Sequence, residues 1–274
     1  MCETCGCGQA AVHSHGGGPA HVHTHPLSPP ASLAPIELAS VSLAGSVPIA
    51  GAAAGASERS RHVALGRAVL ADNDARAEAN RRWLAERGVR MVDLISSPGS
   101  GKTALLEATL DALSERLRVA VIVGDPETDN DARRLRGHGA EVRQVETAGS
   151  CHLDANHVTR HLEELAGDGL DLLVVENVGN LVCPAAFDLG QGARVALLSV
   201  TEGEDKPLKY PGLFHRADAV VITKCDLIPH LRWDRDACLA NVQRVRPDVR
   251  VFEVSAWTGQ GLSAWVDYLA AGGA

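Results

Sequence analysis

Aromatic residues are scarce in this chain, with Trp, Tyr and Phe together making only 3% of its 274 residues. A core must therefore be filled by Leu, Val, Ile and Ala. The 45% apolar content suffices for one sizeable domain with appendages, or for two small ones. Excess positive charge is also missing. The formal charge of −8 argues against a general nucleic-acid binder, which draws on clustered Lys and Arg. No basic segment followed by an apolar run opens the sequence, so an export signal is not expected. Nor does an apolar run reach membrane-spanning length, because residues 33–56 are broken by Pro35, Glu37, Pro48 and several Gly. The seven Cys do not suggest a disulfide framework, since three crowd into the first seven residues and the rest are scattered. Thiolate ligands in a reducing compartment fit better, and the cytoplasm is the expected location. No internal repeat is evident.

What is present divides into three parts. Residues 1–25 form an arm that carries Cys2, Cys5 and Cys7, then His13, His15, His21, His23 and His25. Residues 26–57 are rich in Ala, Ser, Pro and Gly, lack steady periodicity, and read as a flexible or partly extended linker. Residues 58–274 read as a folded domain. A helical pattern runs from about Ser57 to Arg87, with Leu65, Val69, Ala77 and Leu84 on one side. From Val89 the rhythm changes to strand, loop and helix. Expected strands are 89–95, 118–123, 170–175, 195–200, 219–223 and 249–254, with a helix over 102–117 and a terminal helix over 261–271. Short apolar runs alternating with helical segments give an α/β fold, a mainly parallel sheet with helices on both faces. Asp93 inside the first apolar strand is an awkward fit with no sequence-level account.

Ser96-Ser97-Pro98-Gly99-Ser100-Gly101-Lys102-Thr103 follows the first expected strand and reads as a nucleotide-phosphate loop, with Ser96 in place of the usual first Gly. Gly99 and Gly101 allow the backbone to curl so that amides from Gly99, Ser100, Gly101, Lys102 and Thr103 face phosphate oxygens. Pro98 has no amide to give. Lys102 would bridge the β and γ phosphates, and Thr103 would ligate Mg²⁺. The bland alternative is a Gly/Ser turn between strand and helix. Thr223-Lys224-Cys225-Asp226 follows another strand and resembles the guanine-selecting Asn-Lys-x-Asp motif, with Thr in place of Asn. The Asp226 carboxylate can accept two hydrogen bonds from guanine and none from adenine, a discrimination of roughly 1–3 kcal/mol or more. Lys224 would lie along the ring, and Ser255 with Ala256 would form the loop that touches the base. Asp125 and Glu176 each end a strand expected to flank the phosphate loop, where they could serve Mg²⁺ and the γ-phosphate. Asp129 and Asp131 follow close behind, Asp129 the weaker candidate.

Cys2, Cys5 and Cys7 place three thiolates within a short, glycine-eased segment, and soft ligands select Ni²⁺, Zn²⁺ or Cu⁺. The His tract could store metal or be a tolerated tail. Within the domain, Cys151 and His152 are adjacent ahead of a helical segment with His157 and His161, and Cys183 follows the Glu176 strand. Three ligands would leave an incomplete tetrahedron, open to exchange or completed by a second subunit. Cys225 and Cys238 read as structural.

Together these residues resemble the hydrogenase nickel-incorporation GTPases, the hydrogenase maturation factor HypB family of SIMIBI-class P-loop GTPases. The resemblance rests on the Cys-x-x-Cys-Gly-Cys head and on 96–103, 124–133, 151–156, 176–184, 202–212 and 223–227, and spans about residues 58–274. It implies slow GTP hydrolysis with Lys102, Asp125 and Glu176 in the catalytic centre, and GTP, Mg²⁺, Ni²⁺ and Zn²⁺ as bound groups. It implies a GTP-dependent homodimer whose Cys151, His152 and Cys183 form a metal site, and a head that is a tighter nickel site. The expected partners are a [NiFe]-hydrogenase large-subunit precursor and another nickel maturation factor, with no nucleic acid or membrane. Two rivals remain. The urease-type nickel chaperone GTPase typically carries a Cys-Pro-His motif, absent here. A non-catalytic nickel or zinc storage protein would leave Lys102 and Asp226 unexplained.

Overall fold

The computed structural model describes residues 52–125, 129–147, 149–165 and 169–272, with side chains from residue 68 onward. The expected head with Cys2, Cys5 and Cys7, and most of the linker, lie outside the described residues. In chain order the elements are α1 (Ala52–Glu86), β1 (Arg90–Ser96), α2 (Lys102–Leu113), β2 (Val119–Asp125), α3 (Asn130–Leu135), β3 (Glu141–Glu146), α4 (Ala155–Leu165) and β4 (Leu172–Glu176). They continue with α5 (Cys183–Ala186), β5 (Ala193–Ser199), α6 (Lys206–Lys209), α7 (Pro211–Phe214), β6 (Ala219–Thr223), a 3₁₀ turn (Cys225–His230), α8 (Arg235–Val245), β7 (Arg250–Val254) and α9 (Leu262–Ala270).

The seven strands form one sheet in the order β3-β2-β4-β1-β5-β6-β7, and every pairing is parallel. Period-2 alternation sends successive side chains to opposite faces. On β2, Val119, Val121 and Val123 enter the cluster beneath α2 and α9, while Ala120 and Ile122 enter the one beneath α4. Both faces are thus apolar and covered, which is why the strands read as continuous apolar runs. Trp265 of α9 concentrates the few aromatics: it packs with Phe252 and Tyr268 and donates its indole N–H to Thr109 Oγ1 at 3.0 Å.

Three expectations are corrected. Helix α1 opens before Ser57, and Val69 is 51% exposed rather than inward. The buried stripe is Asn73, Ala77, Asn80 and Leu84. The physical reason is that α1 docks on loop backbone as well as apolar surface. Asn73 Nδ2 donates to Asp188 O at 2.8 Å, and Asn80 Nδ2 donates to Ala155 O and Leu189 O at 2.9 and 3.0 Å. Strand β3 was not expected, because only Val142 and Val145 of its six residues are buried. As the sheet's outermost strand it tolerates polar residues. Helix α8 was also missed, although Asp234 caps it by accepting from Ala237 N at 2.9 Å.

Because the strands are parallel, Ser96, Asp125, Glu176, Thr223 and Val254 all end at one rim. Strand β1 lies between β4 and β5, where the chain's winding changes direction. That is where open α/β sheets form a ligand crevice.

Candidate functional site

The loop between β1 and α2 is shaped by Gly99 (φ +72°) and by Gly101 (φ +95°), the residue that caps α2. Side chains with a Cβ adopt that region at a cost, so glycine is the residue that makes the curl. Ser96, which replaces the first Gly of the usual pattern, is buried beneath it. Its hydroxyl accepts from Lys102 Nζ at 2.9 Å and from Ser100 Oγ at 2.5 Å, and donates to Ser97 O at 2.8 Å. The side chain therefore gives the Lys102 ammonium an acceptor within the loop. Burial lowers the Lys102 pKa, opposed by the carboxylates of Glu176 and Asp131.

A cleft of about 570 Å³ opens over this loop, lined by Gly99, Gly101, Lys102, Thr103, Asp125, Asp131, Arg134, Glu176 and Lys224 among others. Thr103 Oγ1 donates to Glu176 Oε1 at 2.8 Å. Glu176 is 2% exposed, and its Oε2 has no hydrogen-bond partner among the described residues. Burial pushes its pKa up to about 7, against the pull of Lys102 and Thr103. A buried carboxylate oxygen without a donor, beside a Thr hydroxyl, suits a hard divalent cation such as Mg²⁺. Asp129 is exposed and pairs with Arg133, so it does not belong to the cleft. Asp131 lines it instead, carried in by the first turn of α3. Arg134 is held at the rim by Glu107 through contacts of 2.9 and 2.6 Å.

Of the expected base-recognition residues, Thr223 and Lys224 touch the same loop, and Asp226, beside them in sequence, pairs with Ser255. Thr223 Oγ1 donates to Ser100 O at 2.6 Å, so the threonine in place of the usual Asn ties β6 to the phosphate loop. Lys224 is the one described non-glycine residue with positive φ (+60°), and its ammonium donates to Gly99 O at 2.7 Å. Such conformations cluster at functional sites. Ser255 Oγ donates to Asp226 Oδ1 at 2.5 Å, and Ala256 follows on the same turn after β7. The 202–212 stretch also reaches the loop, through Lys206 Nζ to Ser97 Oγ at 3.2 Å.

The second constellation lies beyond β4. One ligand atom each from Cys151, His152 and Cys183 fall within 4.8 Å of one another, and all three residues are half-buried. His152 stacks on Phe187 at 3.9 Å, and burial lowers its pKa, which favours the neutral, ligating imidazole. His157 and His161 are not brought in, since they face Asp154 and Glu164 respectively. Cys225 and Cys238 are buried behind β6, where burial pushes their thiols up to about 11 and about 12. Neither is a ready thiolate.

Phe187 and Arg194 were not singled out from the sequence, and Asn177 and Gly179 entered only as part of a candidate switch over 176–179. Gly179 lies so close to Pro98 that a Cβ would sit 3.1 Å from it, which seats the loop after β4 directly on the phosphate loop. Arg194 answers the puzzle of Asp93, because the two are register partners in β1 and β5. The available signal was an acid amid the apolar residues of β1 and a base amid those of β5.

Comparison with known proteins agrees with this geometry. The family profile described as "CobW/HypB/UreG, nucleotide-binding domain" matches residues 91–253. The chain is 48% identical to the hydrogenase maturation factor HypB of Azotobacter chroococcum mcd 1 over 88% of this chain and 79% of that one. It is 39% identical to the Escherichia coli (strain K12) HypB over 98% of both. Among solved structures, HypB from Helicobacter pylori in complex with nickel superposes with a TM-score of 0.68 at 36% identity, covering 72% of this chain and 93% of that one. The chain thus belongs to the CobW/HypB/UreG nucleotide-binding family, as a member of its hydrogenase maturation factor HypB branch.

Proposed function

We propose that this protein is a GTP-hydrolysing nickel metallochaperone that helps load nickel into [NiFe]-hydrogenase precursors. The observation that carries the reading is the placement of Glu176 and Cys183 at the two ends of one short loop. Glu176 ends β4 in the nucleotide cleft, and Cys183 belongs to the Cys/His/Cys cluster. A switch in that loop would act on both sites.

In this reading the amides of Gly99, Ser100, Gly101, Lys102 and Thr103 cradle the phosphates. Lys102 leaves Ser96 to bridge the β and γ groups. Asp226, oriented by Ser255, accepts from guanine, and Lys224 lies along the base with Ala256 at its edge. Thr103, Asp125 and Glu176 would hold Mg²⁺, which neutralises phosphate charge when bound. No side chain is assigned as the base, so hydrolysis is slow. Ni²⁺ is cargo at Cys151, His152 and Cys183, where Zn²⁺ competes for the same thiolate and imidazole ligands. With three ligands per chain, a GTP-dependent homodimer completes the coordination. Cys2, Cys5 and Cys7 capture nickel first, and a further maturation factor and the hydrogenase large-subunit precursor receive it, in the cytoplasm. No helix among the described residues is long and apolar enough to cross a membrane.

The test is steady-state hydrolysis with GTP and ATP, beside Lys102→Ala. The reading requires preference for GTP and loss of turnover in the variant. Equal use of ATP, or an active variant, would refute it. A storage protein without catalysis would bind nickel and hydrolyse neither nucleotide.

A further inference from the structure

Two buried charges take no part in holding phosphate, base or metal in the reading above, yet lie beneath both sites. Asp93 and Arg194 face each other across β1 and β5, with Arg194 Nε 3.6 Å from Asp93 Oδ2, too far for a hydrogen bond. Asp93 is fully buried and Arg194 nearly so. Even as an ion pair, two charges in a sheet interior are costly to desolvate, which directs attention to the geometry that they hold.

That geometry has two arms. On one side, Asp93 Oδ1 accepts from Asn177 Nδ2 at 3.0 Å. Asn177 Oδ1 in turn accepts from the N–H of Val178 at 3.0 Å and of Leu153 at 3.2 Å. Leu153 directly follows His152. On the other side, Arg194 donates to Phe187 O at 2.7 Å and Ala185 O at 3.2 Å. Ala185 lies in the same short helix as Cys183, and the Phe187 ring stacks on His152. The two ligand-bearing segments therefore meet at one buried ion pair, the 151–153 segment through Asn177 to Asp93 and the 183–187 segment through Arg194. Asn177, the central link, is bonded to Glu176 at the cleft, and its own N–H donates to Leu94 O at 3.1 Å.

We propose that Asp93 is a positioning residue: through Asn177 and Arg194 it sets the spacing of Cys151, His152 and Cys183 and makes that spacing follow the end of β4. This rests on the reading that nucleotide state alters the inner metal site. The end of β4 cannot shift without moving the Asn177 amide, and that amide is shared between Asp93 and Leu153. A buried, connected polar network of this kind passes a small displacement on, because its members have few alternative partners. A network that only stabilised the fold would weaken metal binding equally in every nucleotide state.

The test uses the full-length chain with Cys2, Cys5 and Cys7 changed to Ala, so that Ni²⁺ thiolate absorption reports the inner site alone. Ni²⁺ affinity is measured with GDP and with a non-hydrolysable GTP analogue. In this parent the analogue state is expected to bind roughly fivefold or more tightly. Asp93→Leu, which removes the acceptor for Asn177 Nδ2, and Arg194→Lys should each bring that ratio to within about twofold of one, with GTP turnover within about threefold of the parent. Arg194→Lys keeps the charge but loses the double grip on the two carbonyls, so it carries the test if Asp93→Leu fails to fold. Variants that keep the parent's ratio overturn the relay and leave the functional reading standing. Equal affinities in the parent itself overturn both.

Discussion

Glu176→Gln isolates the most perturbed carboxylate in the cleft. Its pKa is raised from 4.5 to about 7 by burial, so the folded protein without metal binds a proton that the unfolded chain releases. Between these values the native state holds more protons, and stability must fall as pH rises. At 1.36 kcal/mol per pKa unit, carboxylate formation at Glu176 costs the metal-free fold on the order of 2–3 kcal/mol between about pH 5 and pH 8. Gln keeps an acceptor for Thr103 Oγ1 and carries no charge. Its own packing cost is independent of pH, so the wild-type-minus-variant difference is the informative quantity. Urea denaturation in chelator, with no nucleotide, should show wild type losing that amount relative to the variant over this range. Addition of Mg²⁺ and nucleotide should remove the wild-type slope, because the cation takes over the role of the proton. A difference that stays flat with pH would refute the assignment of Glu176 as a buried, protonatable cation ligand.

Three further outcomes follow from other parts of the site. In the proposed reading Asp226 makes two charge-assisted hydrogen bonds to guanine, so Asp226→Ala should cut the preference for GDP over ADP roughly 100-fold or more in competition binding. Gly179→Ala places a Cβ 3.1 Å from Pro98, so the two loops must part by a few tenths of an ångström. Single-turnover hydrolysis should slow several-fold while the urea midpoint hardly moves. Cys183→Ser keeps the volume but weakens a soft ligand, and Ni²⁺ titration should show loss of the inner site with GDP release unchanged.

Much of this site could be read from the chain because its signals are local. The phosphate loop, the Thr-Lys-Cys-Asp turn and the acids that end β2 and β4 each sit beside an apolar strand run, and parallel pairing alone brings them to one rim. The pairing of Cys183 with Cys151 and His152 is a different matter. Bringing residues from two crossovers together depends on where α5 packs, so the sequence offered the three as a candidate cluster, through the place of Cys183 just beyond Glu176, and the family resemblance made it a site. The boundary of α1 and its inward face were misread because apolar periodicity describes oil-like docking, whereas Asn73 and Asn80 bind loop carbonyls. Asp93 was unaccountable for the same reason: its partner lies on β5, and no local pattern links them. Edge strand β3 was missed because an edge needs few apolar residues.

The central claim is that one loop joins a guanine-nucleotide site to a nickel site. Its most direct measurement is Ni²⁺ binding to the full-length protein, with and without the Cys head, in the presence of GDP and of a non-hydrolysable GTP analogue. The account predicts two classes of site, of which the one that survives removal of the head binds more tightly with the analogue. An inner site whose affinity is the same in both nucleotide states would contradict it.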